Sequence, residues 1–379
     1  MPENPLLELR RAGQSVWLDS IDRTLLSSGK LAQLVARGEV QGVTSNPTIF
    51  QKAIETCAEY DATIRALSQS GRDTIAIYDE IAAQDIREAA DILRPVYEAA
   101  QGGDGYVSIE VSPTLAHDVD GTVAEAQRLF ASVDRPNVMI KVPGTAAGVE
   151  ALTQLIAAGV NVNSTLLFSP QNYEQVARAY VAGLERLAAR GMALERVASV
   201  ASFFVSRVDT AVDRLLEGLL REAREPTRQA QLRSLLGQAA IANAKVAYQR
   251  FKRIFSEPRF LALKEAGARV QRPLWASTST KNPAYRDVMY VEELIGPDTV
   301  NTMPPATLEA FRDHGRVRLS LEENVERAYQ VFEQLSALNI DMERVYAELQ
   351  AAGIQAFADS FAGLLACIRD RQAAVAPRA

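Results

Sequence analysis

The sequence predicts an α/β chain folded as a (β/α)8 TIM barrel, with extra helices between strands six and seven and at the C-terminus. Three observations predict it. Short β-rich apolar runs recur along the 379 residues, at 15–19, 42–46, 106–111, 138–143, 160–168, 197–204, 272–277 and 299–304. Amphipathic helical patterns separate most of them, the alternation expected of a parallel barrel. The rival, a doubly wound open sheet, usually carries a glycine-rich phosphate loop after its first strand, and WLDSIDRTLL contains no GxGxxG.

The elements follow in order. SVWLD and GVTSN supply the first two strands. Residues 73–100 repeat apolar positions at spacings of three and four, an amphipathic helix. YVSIEV is the third strand. VMIKVP, at 138–143, is apolar on both faces apart from one lysine, as a strand covered on both sides should be. Thr145 caps TAAGVEALTQLIAAG and Gly159 closes it. After VNVNSTLLF, Ser169-Pro170 gives an N-cap with proline at the first helical position, opening a helix to about Arg190. VASVASFF is the sixth strand. Residues 209–270 hold no strand candidate and read as inserted helices before RPLWAS and TVNTMP complete the set. Residues 321–373 read as three closing helices. With no internal repeat, low-complexity tract or linker, 1–379 reads as one domain with a mobile tail at AVAPRA.

Composition narrows the function classes. The chain is 47% hydrophobic and 23% charged, ordinary globular values. A net charge of -6 and a pI near 5.3 argue against nucleic acid or an anionic membrane as main partner. No basic block or zinc spacing appears. Cys57 and Cys367 lie far apart without a CxxC, which fits a reducing cytoplasm. The N-terminus lacks a charged start followed by an apolar core, and no apolar run approaches the roughly 18 residues of a membrane span. His117 and His314 are the sole histidines and no HExxH occurs, so histidine-based metal or triad chemistry is not indicated.

The informative residues are polar ones within or at the ends of apolar strands: Asp19, Asn46, Glu110, Lys141, Asn163, Thr165, Ser202 and Ser277. Each alone has a plain explanation, as a cap, a snorkelling lysine or a backbone-bonded hydroxyl. Recurrence on strand after strand is different, because the C-terminal strand ends of a barrel converge on one mouth. A lysine kept from water there gives a free amine more readily, and a free amine attacks a carbonyl to form a Schiff base. The protonated imine draws electrons from a neighbouring C–C bond, which then breaks to an enamine. Such a reaction also needs groups that accept and return protons, and Asp19 and Glu110 are carboxylates on separate strands. Lysine is scarce here, at 30, 52, 141, 245, 252, 264 and 281 against many arginines. A strand lysine in an arginine-preferring chain looks chosen for its amine, since guanidinium stays charged.

The stretches WLDS, GVTSNPTIF, VSIEVSP, MIKVPGT, NVNSTLLFS, SVASFFVSRVD and WASTSTKNPAYRD, in order from residue 17 to about 290, resemble the transaldolases, and the length resembles the larger bacterial type. The resemblance implies the barrel fold, a dihydroxyacetone unit transferred between phosphorylated ketose and aldose substrates, and no metal or organic cofactor. By matching position, Lys141 is the Schiff-base lysine and Asp19 the acid that takes the sugar hydroxyl proton. Glu110 and Thr165 hold the water that shuttles protons. Asn46, Asn163 and Ser202 bond the dihydroxyacetone hydroxyls, and Arg207 binds phosphate, for which guanidinium has bidentate geometry. A monomer or homodimer without nucleic-acid or membrane partners is expected.

This chain departs from the family runs at two places. SPFVGR appears as SFFVSR, with Phe203 for proline and Ser206 for glycine ahead of Arg207. The second phosphate arginine, usually within ASFRN, has no identical counterpart in ASTSTKNP. Lys281 is the candidate for that charge, with Ser277 beside it and Ser279 as the alternative serine. An ordinary loop lysine is the other reading of Lys281. Phe204 stands where the shorter fructose-6-phosphate aldolases tend to carry tyrosine, which favours transfer over release of free dihydroxyacetone. A fructose-6-phosphate aldolase and a non-catalytic sugar-phosphate-binding barrel are the competing readings. Phe357 and Phe361, in QAFADSFAGLL, could reach toward the site, but their helical spacing favours core packing.

Overall fold

The computed structural model describes residues 4–375. The parallel strands β1 (Gln14–Leu18), β2 (Gly42–Val43), β3 (Val107–Glu110), β4 (Val138–Pro143), β5 (Val162–Leu167), β6 (Ser199–Phe204), β7 (Arg272–Ala276) and β8 (Thr299–Met303) form a closed barrel in chain order. β1 closes it by pairing with β8, from Gln14 against Thr299 to Leu18 against Met303. Each strand overlaps a run singled out from the sequence. β2 is the shortest because the chain leaves the sheet at Ser45 and Asn46 to cap the helix Pro47–Thr56, the Asn46 side chain accepting from the Ile49 amide at 2.9 Å.

The caps predicted at Thr145 and Ser169 are in place, and Asp73 supplies a third. Asp73, Thr145 and Ser169 each accept a hydrogen bond from an amide in the first turn of their helices, Thr74–Ala99, Ala146–Ala157 and Pro170–Ala189. Between β6 and β7 lie the helices Ser206–Glu222, Pro226–Arg233, Ala239–Phe255 and Pro258–Glu265. Ala239–Phe255 packs on Pro170–Ala189 outside the barrel. Its aromatic row, Tyr248, Phe251 and Phe255, continues edge-to-face onto Phe260 with ring centroids 4.7 Å apart. Spacings of three and four put these rings on one face, and each such pair adds roughly 0.5–1.5 kcal/mol beyond area burial.

The C-terminal region differs from the three helices expected. It has a 3-10 turn at Ser320–Glu322, the helix Val325–Ala337 and one continuous helix, Met342–Val375. The long helix runs unbroken through Gly353 and Gly363 because both glycines face close neighbours. A Cβ on Gly353 would come 2.9 Å from Leu166 Cδ2, and one on Gly363 would come 2.7 Å from Gln51 Nε2. By length and composition this helix, over Met342–Ala374, is long and apolar enough to cross a membrane. Gln350, Gln355, Asp359 and Ser360 interrupt it, so the sequence shows no unbroken apolar run there. In the structure it packs on Pro47–Thr56, with Ser360 bonded to Thr48 at 2.8 Å and Arg371 paired with Asp61 at 2.7 Å. Of the tail expected to be mobile, the part beyond Val375 lies outside the described residues.

Candidate active site at the strand ends

A cavity of about 260 Å³ opens where the strands end. Its wall includes Asp19 from the end of β1, Asn46 after β2, Lys141 on β4, Thr165 on β5, Ser202 on β6, Arg207 just beyond it, and Ser277 and Lys281 after β7. Eight of the residues singled out from the sequence therefore converge on one space. They converge because inward-facing positions recur every second residue along a strand.

Lys141 is 4% exposed. Its Nζ donates to the Ser45 carbonyl at 3.0 Å and lies 3.1 Å from Glu110 Oε2. The approach to Glu110 is that of an ion pair rather than an aligned hydrogen bond, and both Glu110 oxygens are buried without a donor. Strand register explains the pair, since Glu110 and Lys141 face each other across β3 and β4. Burial pushes the Glu110 carboxyl above its ordinary range; the Lys141 charge opposes this and the Asp19 charge adds to it. Glu110 does not line the Lys141 cavity. It stands behind the lysine and borders a second space, about 470 Å³, that reaches Tyr78 and Glu125.

Asp19 is also raised by burial, opposed by a 2.6 Å bond from the Thr44 hydroxyl and by the Lys141 charge. Thr44 in turn shares a 2.6 Å contact with Thr302 on β8. Two carboxyls held above their usual range beside an amine are placed to take up and return protons.

Thr165 and Asn163 sit on β5, which carries an irregularity in its pairing with β6 between Ser164 and Leu167. Leu166 takes the left-handed region there, φ 60°. The bulge turns the Leu166 carbonyl to Gln350 of the long C-terminal helix, whose Nε2 donates to it at 3.2 Å and to the Gly144 carbonyl at 3.1 Å. Thr165 Oγ1 is fully buried and has no hydrogen-bond partner among the described residues. Asn163 is not in the cavity wall. Its Nδ2 donates to Ser108 Oγ at 3.0 Å and its Oδ1 accepts from Ser202 Oγ at 2.7 Å, so it lies beneath Ser202 and braces it.

The departure ahead of Arg207 has a structural account. Phe203 is buried edge-to-face on Trp275, ring centroids 6.0 Å apart, where proline would leave a gap. Ser206 joins Ser277 twice, amide to carbonyl at 3.1 Å and hydroxyl to hydroxyl at 2.9 Å. Ser277 adopts φ 58° to do so. Arg207 then opens the helix Ser206–Glu222 with its guanidinium 5.3 Å over the Phe204 ring. Among the described residues it has no acidic partner, and burial pulls it below its ordinary value. Lys281 bonds only Ser279, at 2.8 Å, and Ser279 lines the cavity too. Two cations without acids on one wall attract an anion such as phosphate.

Sequence reading missed Thr44, Ser45 and Thr302, and it misjudged Phe357. That ring, 5% exposed, roofs the cavity with Lys141 Nζ 5.7 Å from its centroid. Phe361 packs edge-on against Tyr78 at 5.4 Å, as core spacing suggested. Among the described residues no group of three His, Cys, Asp or Glu side chains is placed to hold a metal ion.

Comparison with known proteins gives the family. The model of a family described as "Transaldolase/Fructose-6-phosphate aldolase" matches residues 16–368. A protein named "Transaldolase" from Trichodesmium erythraeum (strain IMS101) is 46% identical over 379 residues, 100% of each chain. The chain belongs to the transaldolase/fructose-6-phosphate aldolase family. Within that family, "Transaldolase 2" from Nostoc punctiforme (strain ATCC 29133 / PCC 73102) is 48% identical over 380 residues, 100% of each chain. "Transaldolase" from Parafrankia sp. (strain EAN1pec) is 50% identical over 368 residues, 97% of this chain and 98% of that one. The barrel, the strand lysine and the acids beside it are thus found in a transaldolase-family chain matched to its relatives along nearly its whole length.

Proposed function

We propose that the chain is a transaldolase that moves a dihydroxyacetone unit from sedoheptulose 7-phosphate to glyceraldehyde 3-phosphate, giving erythrose 4-phosphate and fructose 6-phosphate. One observation carries the reading: a buried amine, Lys141, shares its cavity with a raised carboxyl, Asp19, and with two cations that lack acids, Arg207 and Lys281. The amine adds to the ketose C2 carbonyl. The carbinolamine loses water to give a protonated imine, with Glu110 and Thr165 holding that water. Asp19 takes the C4 hydroxyl proton as the C3–C4 bond breaks, and the electron pair enters the imine as an enamine. The first aldose leaves. The enamine then adds to the second aldehyde, the proton returns from Asp19, and hydrolysis frees Lys141.

Asn46 and Ser202 orient the dihydroxyacetone hydroxyls. Asn163 contributes through Ser202, whose hydroxyl donates to its Oδ1. Arg207, Lys281 and Ser277 take the phosphate. Phe204 favours transfer over the aldolase reading, because a phenyl ring donates no proton to the enamine side of the cavity. The proposal includes a cytoplasmic monomer or homodimer that needs neither metal nor organic cofactor.

Borohydride trapping tests it. The protein is incubated with fructose 6-phosphate, reduced, digested and mapped by mass. A reduced sugar adduct on the Lys141 peptide is expected. Confirmed substrate binding with no adduct on Lys141 would overturn the mechanism and favour a binding barrel.

A further inference from the structure

The helix Ser206–Glu222 opens with Arg207 and carries two buried acids one turn apart, Asp209 and Asp213. Neither faces substrate. Asp209 accepts from the Ala240 amide at 2.7 Å and the Tyr290 hydroxyl at 2.8 Å. Asp213 accepts from the Gly237 amide at 3.0 Å and the Tyr285 hydroxyl at 2.6 Å. Both tyrosines come from the chain after β7, the stretch that also carries Ser277, Ser279 and Lys281. The segment 279–284 is anchored at two ends only. Thr278 Oγ1 donates to Asn301 at 2.9 Å on one side, and Tyr285 reaches Asp213 on the other. Between them, the hydrogen bonds that Ser279, Lys281 and Asn282 make stay within the loop. Gly237, at φ 69°, leaves room for the Tyr285 ring, since a Cβ there would come 2.9 Å from Tyr285 Cζ.

From this arrangement we infer that Tyr285, held by Asp213, is a positioning residue that sets Lys281 at phosphate distance from Arg207. One helix bears the first cation and, through the Asp213 bond, fixes the loop that bears the second. Lys281 also borders a 220 Å³ space whose charged lining is three acids, Asp209, Asp213 and Glu217, against one further cation, Arg214. Without the tyrosine tether, its ammonium has an acidic space to fall toward and leaves the phosphate side. Tyr285 therefore governs discrimination between phosphorylated and unphosphorylated aldehydes. The inference rests on the proposed role of Lys281 in holding phosphate.

The test compares glyceraldehyde 3-phosphate with glyceraldehyde as acceptor, in wild type, Tyr285→Phe, Lys281→Met and the double variant. Tyr285→Phe is expected to raise KM for the phosphorylated acceptor roughly tenfold, the scale of one charge-assisted contact, and to leave glyceraldehyde kinetics unchanged. In the Lys281→Met background it should add nothing. Asp213→Ala, which removes the acceptor of the same bond from the helix, should reproduce the acceptor-selective change. A change that strikes both acceptors equally, or that persists without Lys281, makes Tyr285 merely structural and overturns the inference. If Lys281→Met raises KM and Tyr285→Phe does not, the positioning role alone falls. If Lys281→Met leaves KM for the phosphorylated acceptor at the wild-type value, the phosphate reading of Lys281 falls and the inference falls with it.

Discussion

Lys141 Nζ and Glu110 Oε2 stand 3.1 Å apart, both buried, on strands whose register sets them opposite each other. Among the described residues neither Glu110 oxygen has a hydrogen-bond donor, so the ion pair with the lysine is what answers its charge. Glu110→Gln keeps the volume and removes the acid–base function. It should lower kcat by on the order of 10²–10⁴-fold, the usual worth of a positioned proton carrier. Lys141→Arg should abolish activity and borohydride trapping together. Single-turnover formation of the adduct separates the two: slow in Glu110→Gln, absent in Lys141→Arg.

Thr44→Val removes the hydroxyl that donates to Asp19 and that holds the carboxyl down against burial. Without it the Asp19 carboxyl rises further. In the proposed mechanism Asp19 acts unprotonated when it takes the sugar hydroxyl proton, so the acid limb of kcat against pH should move to higher pH. An unchanged limb, measured with fructose 6-phosphate as donor, would detach Asp19 from that step.

Phe204→Tyr places a phenol in the cavity near Thr165, whose buried hydroxyl has no hydrogen-bond partner among the described residues. A proton donor there should quench the enamine. Free dihydroxyacetone released from fructose 6-phosphate alone should rise, and transfer to an acceptor aldehyde should fall. Enzymatic detection of dihydroxyacetone reads the change directly.

Asp209 gives a stability prediction. Burial raises its carboxyl from 3.8 to about 7. The folded protein therefore binds a proton that the unfolded chain has released between about pH 4 and pH 7, and stability falls as pH rises through that window. The loss is on the order of 4 kcal/mol once pH has passed 7. Asn does not titrate, so Asp209→Asn should gain on wild type as pH rises. Denaturant midpoints from pH 4.5 to 8 check this, and a constant difference between the two proteins would refute it.

The barrel was legible because its signals are local. Apolar runs, caps at Thr145 and Ser169, and the missing glycine loop all lie within a few residues of what they specify. Lys141 and Asp19 were legible because a charge in an apolar strand violates the local pattern. Thr44 and Thr302 were not, because a threonine in a strand violates nothing and their hydroxyls acquire meaning only when β1, β2 and β8 are side by side. Phe357 was misjudged for a related reason. Its helical spacing matches core packing, and it does pack, but the surface it covers is the cavity. Continuity through Gly353 and Gly363 was equally hidden, since the crowding that suits glycine comes from Leu166 and Gln51, far away in sequence.

The long C-terminal helix has a consequence for how the protein comes into being. On the ribosome, the strands bearing Asp19, Glu110, Lys141 and Ser202 emerge well before Phe357 and Gln350. Chains begin to fold from the N-terminal side during synthesis. A nascent chain can thus assemble its reactive lysine before it has the ring that roofs it and the amide that pins the β5 bulge. Competence arrives last, with the final helix, so a chain released early would carry the chemistry in an open mouth.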